Sequence, residues 1–234
     1  MVNIDLHRSV LIKILREIYA DPVLRTAMGF KGGTAAYLFY GLPRFSVDLD
    51  FDLLDVTKQP EVFEKLIQLL PGFGVLSQAS NKQNTLFFLL NYIKGERNLK
   101  IEISKRAIPA KFTPKQYLGI SMLVMTEADM AASKLSALLT RKHLATRDVF
   151  DLWFFLKNNW PINESLFVEK SGLSLLEGLA VAKTQVMKIK KNELLAGLGE
   201  LLDNKQKDWV REKLVDELVF YLDLYQSEFT RQSS

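Results

Sequence analysis

The stretch that decides the fold is FKGGTAAYLFYGLPRFSVDLDFDLL, residues 30–54. It sets a glycine pair, Gly32 and Gly33, before a helix-like run and ends with Asp48, Asp50 and Asp52 at alternate positions. Alternate side chains of a β-strand share one face, about 6 to 7 Å apart. The stretch therefore predicts a glycine turn, a short helix and a strand with a carboxylate face.

The three aspartates predict a cation-binding strand. Ionised carboxylates held close together repel one another, and this raises the pKa of at least one of them unless a cation compensates. Mg²⁺ takes oxygen ligands and keeps positions open for waters and substrate phosphates. We expect Asp48 and Asp50 to bind Mg²⁺ and assign Asp52 to structure or solvent. The alternative is an edge strand whose polar face is simply hydrated.

The glycine pair predicts a phosphate-binding helix start. Free backbone amides and the helix dipole favour an anion where Gly32, Gly33 and Thr34 enter the helix. Lys31 directly precedes the glycines, so the pattern is not a P-loop, in which the lysine follows them. We expect Lys31, Gly32, Gly33 and Thr34 to bind a nucleotide phosphate.

Composition restricts the protein class. Of 234 residues, 48% are hydrophobic and 25% charged, which is typical of a globular chain. The absence of cysteine excludes thiolate catalysis and disulfides. No apolar run approaches the roughly 20 residues of a membrane span, so we expect a cytoplasmic protein without a membrane partner. A net charge of +4 weakly favours a polyanionic partner.

Hydrophobic periodicity predicts an α+β fold, in which a mixed β-sheet with flanking helices is followed by a C-terminal helical bundle. TLFFLLNYI and LKIEIS predict a β-hairpin around KGERN, and the chain after Pro114 is predicted to be helical, with Thr126 as a possible cap. The expected boundary is near Lys115, which gives an αβ domain over 1–115 and a helical domain over 116–234. Phe87 and Phe88 are assigned to the core.

The opening stretch resembles the signature of the AbiEii/AbiGii-type toxin nucleotidyltransferases, which belong to the DNA polymerase β-like superfamily. In that signature K-G-G-T-A precedes a helix and R-x-S-x-D-L-D-F follows it. Arg44, Ser46, Asp48, Asp50 and Phe51 all match. The resemblance implies a nucleotidyltransferase sheet, with Arg44 and Ser46 at the nucleotide. For Arg44 an ordinary salt bridge is the alternative.

A second block strengthens the resemblance. The family carries K-L-x-A-L-x-x-R and R-D-x-x-D-L, and this chain has KLSALLTR at 134–141 and RDVFDL at 147–152. The resemblance implies that Lys134 reaches the nucleotide phosphates and that Asp148 or Asp151 supplies an acidic group, so that the helical domain completes the active site.

A third carboxylate on a neighbouring strand is common in the superfamily. Glu102 in LKIEIS is the candidate here, either as a catalytic group or as the polar face of an ordinary strand. His7 and His143 belong to no catalytic constellation.

The resemblance implies an Mg²⁺-dependent transfer of a nucleoside monophosphate from an NTP to an acceptor, with tRNA expected first. It also implies the toxin of a bacterial toxin–antitoxin or phage-defence (abortive infection) system, with a separately encoded antitoxin. One alternative acceptor is a small-molecule or protein hydroxyl. Another alternative is a non-catalytic nucleotide-binding module.

Overall fold

The computed structural model describes residues 3–93, 95 and 97–232. The chain forms two compact units, Met1–Met125 and Thr126–Ser234. None of the described helices combines the length and the apolar composition that a membrane crossing requires.

The first unit contains a seven-stranded mixed sheet with helices. Its helices are α1 (Ile4–Ala20), α2 (Leu24–Ala27), α3 (Gly32–Tyr40) and α4 (Gln59–Leu69). Its strands are β1 (Met28–Lys31), β2 (Leu49–Leu53), β3 (Val75–Asn81), β4 (Thr85–Asn91), β5 (Leu99–Ser104), β6 (Phe112–Tyr117) and β7 (Ile120–Met125). Two short 3₁₀ helices, Val56–Lys58 and Leu70–Phe73, flank α4. The strand order is β3-β4-β5-β2-β1-β7-β6.

The aspartate strand lies inside this sheet, as predicted. β2 pairs antiparallel with β1 and parallel with β5. Leu49, Phe51 and Leu53 are buried on one face of β2, which leaves the aspartates on the other. Burial of three large apolar side chains against the core is what fixes the register, since a slip of one residue would bury the carboxylates instead.

The hairpin of β4 and β5 is also confirmed, as an antiparallel pair from Thr85↔Ser104 to Leu90↔Leu99. Of its KGERN turn, Lys94 and Glu96 lie outside the described residues. Sequence reasoning missed β3, which adds an exposed edge strand beside β4.

The helical unit begins at Thr126 rather than near Lys115. Lys115 lies within β6, where it pairs with Met122 of β7. Pro114 suggested a break in the chain, but β6 is the last strand of the sheet, and an edge strand tolerates a residue without an N–H donor. Thr126 occupies the N-cap position of the next helix, although its side chain makes no capping hydrogen bond.

The second unit is helical. It comprises α5 (Glu127–Thr140), α6 (Thr146–Lys157), α7 (Glu164–Ser171), α8 (Leu175–Met187), the 3₁₀ helix Gly199–Leu201 and α9 (Asn204–Gln232). After α8 the chain forms turns instead of the predicted helix, and one of them contains Gly197 at φ +66°. α6 and α9 are joined by Glu217, whose carboxylate accepts hydrogen bonds from the indole N–H groups of Trp153 (2.9 Å) and Trp209 (3.2 Å).

Candidate active site

A carboxylate face forms the centre of the candidate site. Asp50 of β2 is the direct partner of Glu102 on the parallel strand β5, so the two side chains project from the same side of the sheet. Asp48 directly precedes β2 and Asp52 follows on the same face. Asp48, Asp50 and Glu102 are half-buried, whereas Asp52 is buried. The predicted third carboxylate, Glu102, therefore lies beside the predicted metal-binding strand.

The glycine pair is required by close packing against this face. Gly32 has φ +79°, and a Cβ there would lie 2.6 Å from Asp50 Oδ2. A Cβ on Gly33 would lie 2.6 Å from Arg44 Nη2 and 2.9 Å from Ser46 Oγ. The glycine pair, the aspartate strand and the R-x-S segment of the signature thus meet at one turn. Glycine is needed there because a larger residue would keep the Asp50 carboxylate and the R-x-S segment away from the backbone.

The start of α3 is also tied to the aspartate strand. The Thr34 hydroxyl is fully buried and donates a hydrogen bond to the carbonyl oxygen of Asp48. Thr34 therefore holds the main chain at the first aspartate. A phosphate contact at the backbone of Gly32, Gly33 and Thr34 stays a prediction.

The other predicted nucleotide-binding residues are engaged within the protein. Lys31 Nζ pairs with Asp52 Oδ1 at 2.5 Å, which accounts for the third aspartate as a structural group. Arg44 is buried, and its Nη1 donates to the carbonyl oxygen of Phe45 at 3.0 Å. Ser46 is buried beside Gly33. Direct contact of Lys31, Arg44 or Ser46 with a nucleotide stays a prediction.

Lys100 is a site residue that sequence reasoning missed. Its Nζ lies 3.4 Å from Asp48 Oδ2 and 3.3 Å from Glu102 Oε2. Burial acts to lower the pKa of Lys100, but the charges of Asp48, Glu102 and Asp50 outweigh it, so the pKa is raised and the ammonium form is favoured. The alternation of LKIEIS places Lys100 on the face of Glu102, and that was the signal available in the sequence.

Asp50 has a raised pKa. Burial of its carboxyl group is the largest cause and the charge of Asp48 the next, while Lys100 and Lys31 act in the opposite direction. Burial and the neighbouring Asp48 charge together disfavour the ionised form of Asp50, and a cation bound beside it would offset both effects.

These carboxylates fit Mg²⁺ by their chemistry. Within the part of the chain that the structure describes, no three histidine, aspartate or glutamate side chains already converge as a complete metal site. Mg²⁺ is commonly bound by one or two carboxylates together with substrate phosphates and water. Asp48 and Asp50, both half-buried and close to the glycine turn, match that description.

His7 supports the same strand from α1. This fully buried imidazole lies 2.8 Å through Nε2 from the carbonyl oxygen of Val47 and 2.7 Å through Nδ1 from the Tyr92 hydroxyl. Since a carbonyl only accepts, Nε2 carries the proton that is donated to Val47. His7 thus fixes the backbone one residue before Asp48, although the sequence placed it in no constellation.

The second unit contains a separate buried ion cluster. Lys134 Nζ of α5 lies 2.8 Å from Asp148 Oδ1 and 2.7 Å from Asp151 Oδ2, both on α6. Arg141 Nη1 lies 2.9 Å from the other oxygen of Asp148. Both aspartates are buried. The structure therefore brings together four charged residues of the second block, including both candidates for its acidic role.

Comparison with known proteins identifies the fold. The chain shares 24% identity with JHP933 from Helicobacter pylori, at a TM-score of 0.61 over 97% of this chain and 93% of that one. It shares 24% identity with another H. pylori structure, a protein provisionally assigned as a nucleotidyltransferase, at a TM-score of 0.66 over 99% and 98% of the two chains. Both likenesses show a shared fold, and the second confirms the predicted nucleotidyltransferase-type fold. No curated protein matches the sequence significantly.

A match to a protein-family model identifies the family of the chain. Residues 13–214 match the family described as nucleotidyl transferase AbiEii toxin, type IV TA system. The match includes both signature blocks and most of the helical unit. The chain is therefore a nucleotidyltransferase that belongs to the AbiEii toxin family of type IV toxin–antitoxin systems.

Proposed function

We propose that this protein transfers a nucleoside monophosphate from an NTP to the terminal hydroxyl of an RNA, with tRNA as the first candidate, and that the reaction uses Mg²⁺. The observation that carries the proposal is the contact between the glycine turn and the aspartate strand. Gly32 packs against Asp50, whose neighbour across the sheet is Glu102. The glycine turn, where we expect the phosphate, therefore lies beside the carboxylates that we expect to bind the metal and to act on the acceptor.

The charge distribution supports a polyanionic acceptor. Residues 1–125 contain 16 lysines and arginines against 11 acidic residues, whereas residues 126–234 contain 15 against 16. The basic excess of the chain thus belongs to the unit that also carries the aspartate strand. RNA phosphates are attracted by such an excess.

In the proposed reaction, the acceptor hydroxyl oxygen forms a bond to the α-phosphorus of the NTP, and the bond from that phosphorus to the bridging oxygen of the β-phosphate breaks. Pyrophosphate leaves, and Glu102 takes the proton of the hydroxyl. Asp48 and Asp50 would hold Mg²⁺, which when bound offsets the negative charge that grows on the phosphates. Gly32 and Gly33 would orient the triphosphate through their backbone amides.

The ion cluster of the second unit is proposed to be required for the same reaction. Lys134 would contact phosphate oxygens, as the family resemblance implies. We assign the acidic role to Asp148 rather than Asp151, because Asp148 also contacts the partly exposed Arg141, whereas the Asp151 side chain is completely buried.

The test is label transfer by the purified protein. Each α-³²P-labelled NTP is incubated with Mg²⁺ and total tRNA, and the RNA is separated from free nucleotide. Label is expected in RNA with at least one NTP, and Asp48→Asn is expected to abolish it. Asp5→Asn removes an exposed aspartate of the same unit and serves as the matched control. Absence of label from RNA under all conditions would contradict an RNA acceptor, and label in a protein or small molecule would identify the acceptor class that replaces it.

Membership of a toxin family gives a second test in cells. Induced expression is expected to arrest growth unless the separately encoded antitoxin is present. Growth arrest by Asp48→Asn as strong as that by the parent would contradict a catalytic origin of toxicity and favour toxicity by binding alone.

A further inference from the structure

Phe87 of β4 belongs to the carboxylate face and not to the core. Phe87 pairs directly with Glu102 of β5, and Glu102 pairs with Asp50 of β2. Asp50 pairs in turn with Lys31 of β1. Directly paired residues project to the same side of a sheet, so these four side chains form one row across β4, β5, β2 and β1. Phe87 is half-buried, whereas its neighbour Phe88 is fully buried on the opposite face.

The row has two chemically different ends. Lys31 leads directly into Gly32 and Gly33, where the triphosphate is expected, and Phe87 lies at the other end. Neighbouring strands are about 4.8 Å apart, which places Phe87 one strand beyond Glu102 and about 10 Å from Asp50 along the row. The group that attacks the α-phosphorus comes from the side opposite the leaving pyrophosphate. With the triphosphate at the glycine turn, as proposed above, Phe87 lies at the end of the row from which we expect the acceptor to approach.

An ammonium group lies over the Phe87 ring. Lys82, exposed at the β3–β4 turn, holds its Nζ 4.3 Å from the centroid of the ring. Lys82 and Phe87 belong to the same face, because Ser80, two residues before Lys82, pairs directly with Phe87. A half-buried aromatic ring with an ammonium group beside it is the combination that binds single-stranded nucleic acid, by base stacking and by phosphate contacts.

We propose that Phe87 and Lys82 form an acceptor subsite for the terminal nucleotide of an RNA strand; this inference rests on the proposed function. The terminal base stacks on the Phe87 ring, and its phosphate contacts Lys82. Stacking of a base is worth more than an exposed cation–π contact, so the base displaces the Lys82 ammonium from the ring and frees it for the phosphate. The terminal hydroxyl is then directed toward Glu102.

The first test measures binding, without any transfer. The probes are a fluorescently labelled single-stranded RNA octamer ending in adenosine and the same octamer ending in an abasic ribose. The full-length protein is expected to bind the adenosine-ended probe about tenfold more tightly. Phe87→Leu keeps an apolar side chain and is expected to abolish this preference, whereas Phe87→Trp is expected to retain it. Preservation of the preference in Phe87→Leu would overturn the proposal.

The phosphate contact of Lys82 is tested by salt dependence. Lys82→Gln is expected to reduce the slope of log affinity against log salt by about 0.7, the value for one phosphate contact on a single strand. Lys13→Gln removes an exposed lysine of α1 in the same unit and is expected to leave the slope unchanged. Equal slopes for both variants would overturn the phosphate contact of Lys82.

Two further measurements separate this subsite from the proposed function. Calorimetry is expected to give equal NTP affinities for Phe87→Leu and the parent. A selective loss of NTP binding in Phe87→Leu would show that the ring contacts the base of the NTP, and it would overturn the acceptor subsite. Label transfer to RNA with the same KM for RNA in Phe87→Leu and the parent would also overturn the subsite while leaving the proposed function intact. Base-dependent binding through Phe87 without any label transfer would support the subsite and contradict the proposed function.

Discussion

Lys100 Nζ lies 3.4 Å from Asp48 Oδ2, so one of the two proposed Mg²⁺ ligands already has an ammonium counter-ion from the neighbouring strand. The same ammonium lies 3.3 Å from Glu102. We expect Lys100→Met to tighten Mn²⁺ binding about fivefold, because a partly exposed ion pair contributes about 1 kcal/mol and its loss leaves the carboxylates with more uncompensated charge. Calorimetric titration with Mn²⁺ measures the change.

Lys58→Met removes an exposed lysine that pairs with Glu61, away from the aspartate strand, and is the control for Lys100→Met. Its Mn²⁺ affinity is expected to equal that of the parent. Weaker Mn²⁺ binding in Lys100→Met would show that Lys100 assists the cation instead of competing with it.

The raised pKa of Asp50 predicts a pH-dependent cost of folding in the absence of metal. A carboxyl group whose pKa is higher in the folded than in the unfolded state destabilises the fold when it is ionised. This loss of folding stability is absent in acid and develops as the pH rises from 3.8, the ordinary pKa, through the raised pKa of the folded state. Asp50→Asn is expected to raise the metal-free Tm at neutral pH by about 2 to 4 °C, for about 1 kcal/mol of relief. Thermal unfolding across this pH range tests it.

The corresponding control is Glu64→Gln, which changes an exposed glutamate in the middle of α4 and is expected to leave the Tm unchanged. Mn²⁺ is expected to stabilise the parent and not Asp50→Asn. A lower Tm of metal-free Asp50→Asn at neutral pH would contradict the assigned direction.

Lys134 is expected to be essential for stability as well as activity. Lys134→Met leaves the buried carboxylates of Asp148 and Asp151 without their shared ammonium, and an uncompensated buried charge costs about 3 to 5 kcal/mol. Chemical denaturation measures this loss. The triple variant with Asp148→Asn and Asp151→Asn is expected to recover most of the stability but no transfer activity, which separates the two roles. A Lys134→Met protein as stable as the parent would contradict the buried cluster.

His7 is expected to position Asp48. His7→Leu removes the donor to the Val47 carbonyl oxygen, which costs about 1 to 3 kcal/mol, and it is expected to weaken Mn²⁺ binding as well. His7→Gln provides another N–H donor and is expected to restore part of both. Tyr92→Phe keeps the bond to Val47 and is the matched control. Unchanged Mn²⁺ affinity in His7→Leu would limit His7 to a structural role.

The sequence predicted those features that depend on local periodicity. Alternation in VDLDFDLL predicted the strand and its carboxylate face, since a period of two belongs to one strand alone. Contacts between distant segments were not predictable in this way. Lys100 and Phe87 lie on the carboxylate face only because β5 and β4 align with β2 in a particular register. β6 was missed because Pro114 is read as a break unless the strand is known to lie at an edge.

In the proposed reaction the bond that breaks lies between the α- and β-phosphates of the NTP, and Asp48 and Asp50 are needed to break it. Parallel reactions with α-³²P- and γ-³²P-labelled NTP measure this directly. We predict that the α label enters the acceptor, that the γ label is released as pyrophosphate, and that both signals vanish in Asp48→Asn and Asp50→Asn. Transfer of the γ label to the acceptor, or undiminished α transfer by Asp48→Asn, would contradict the account.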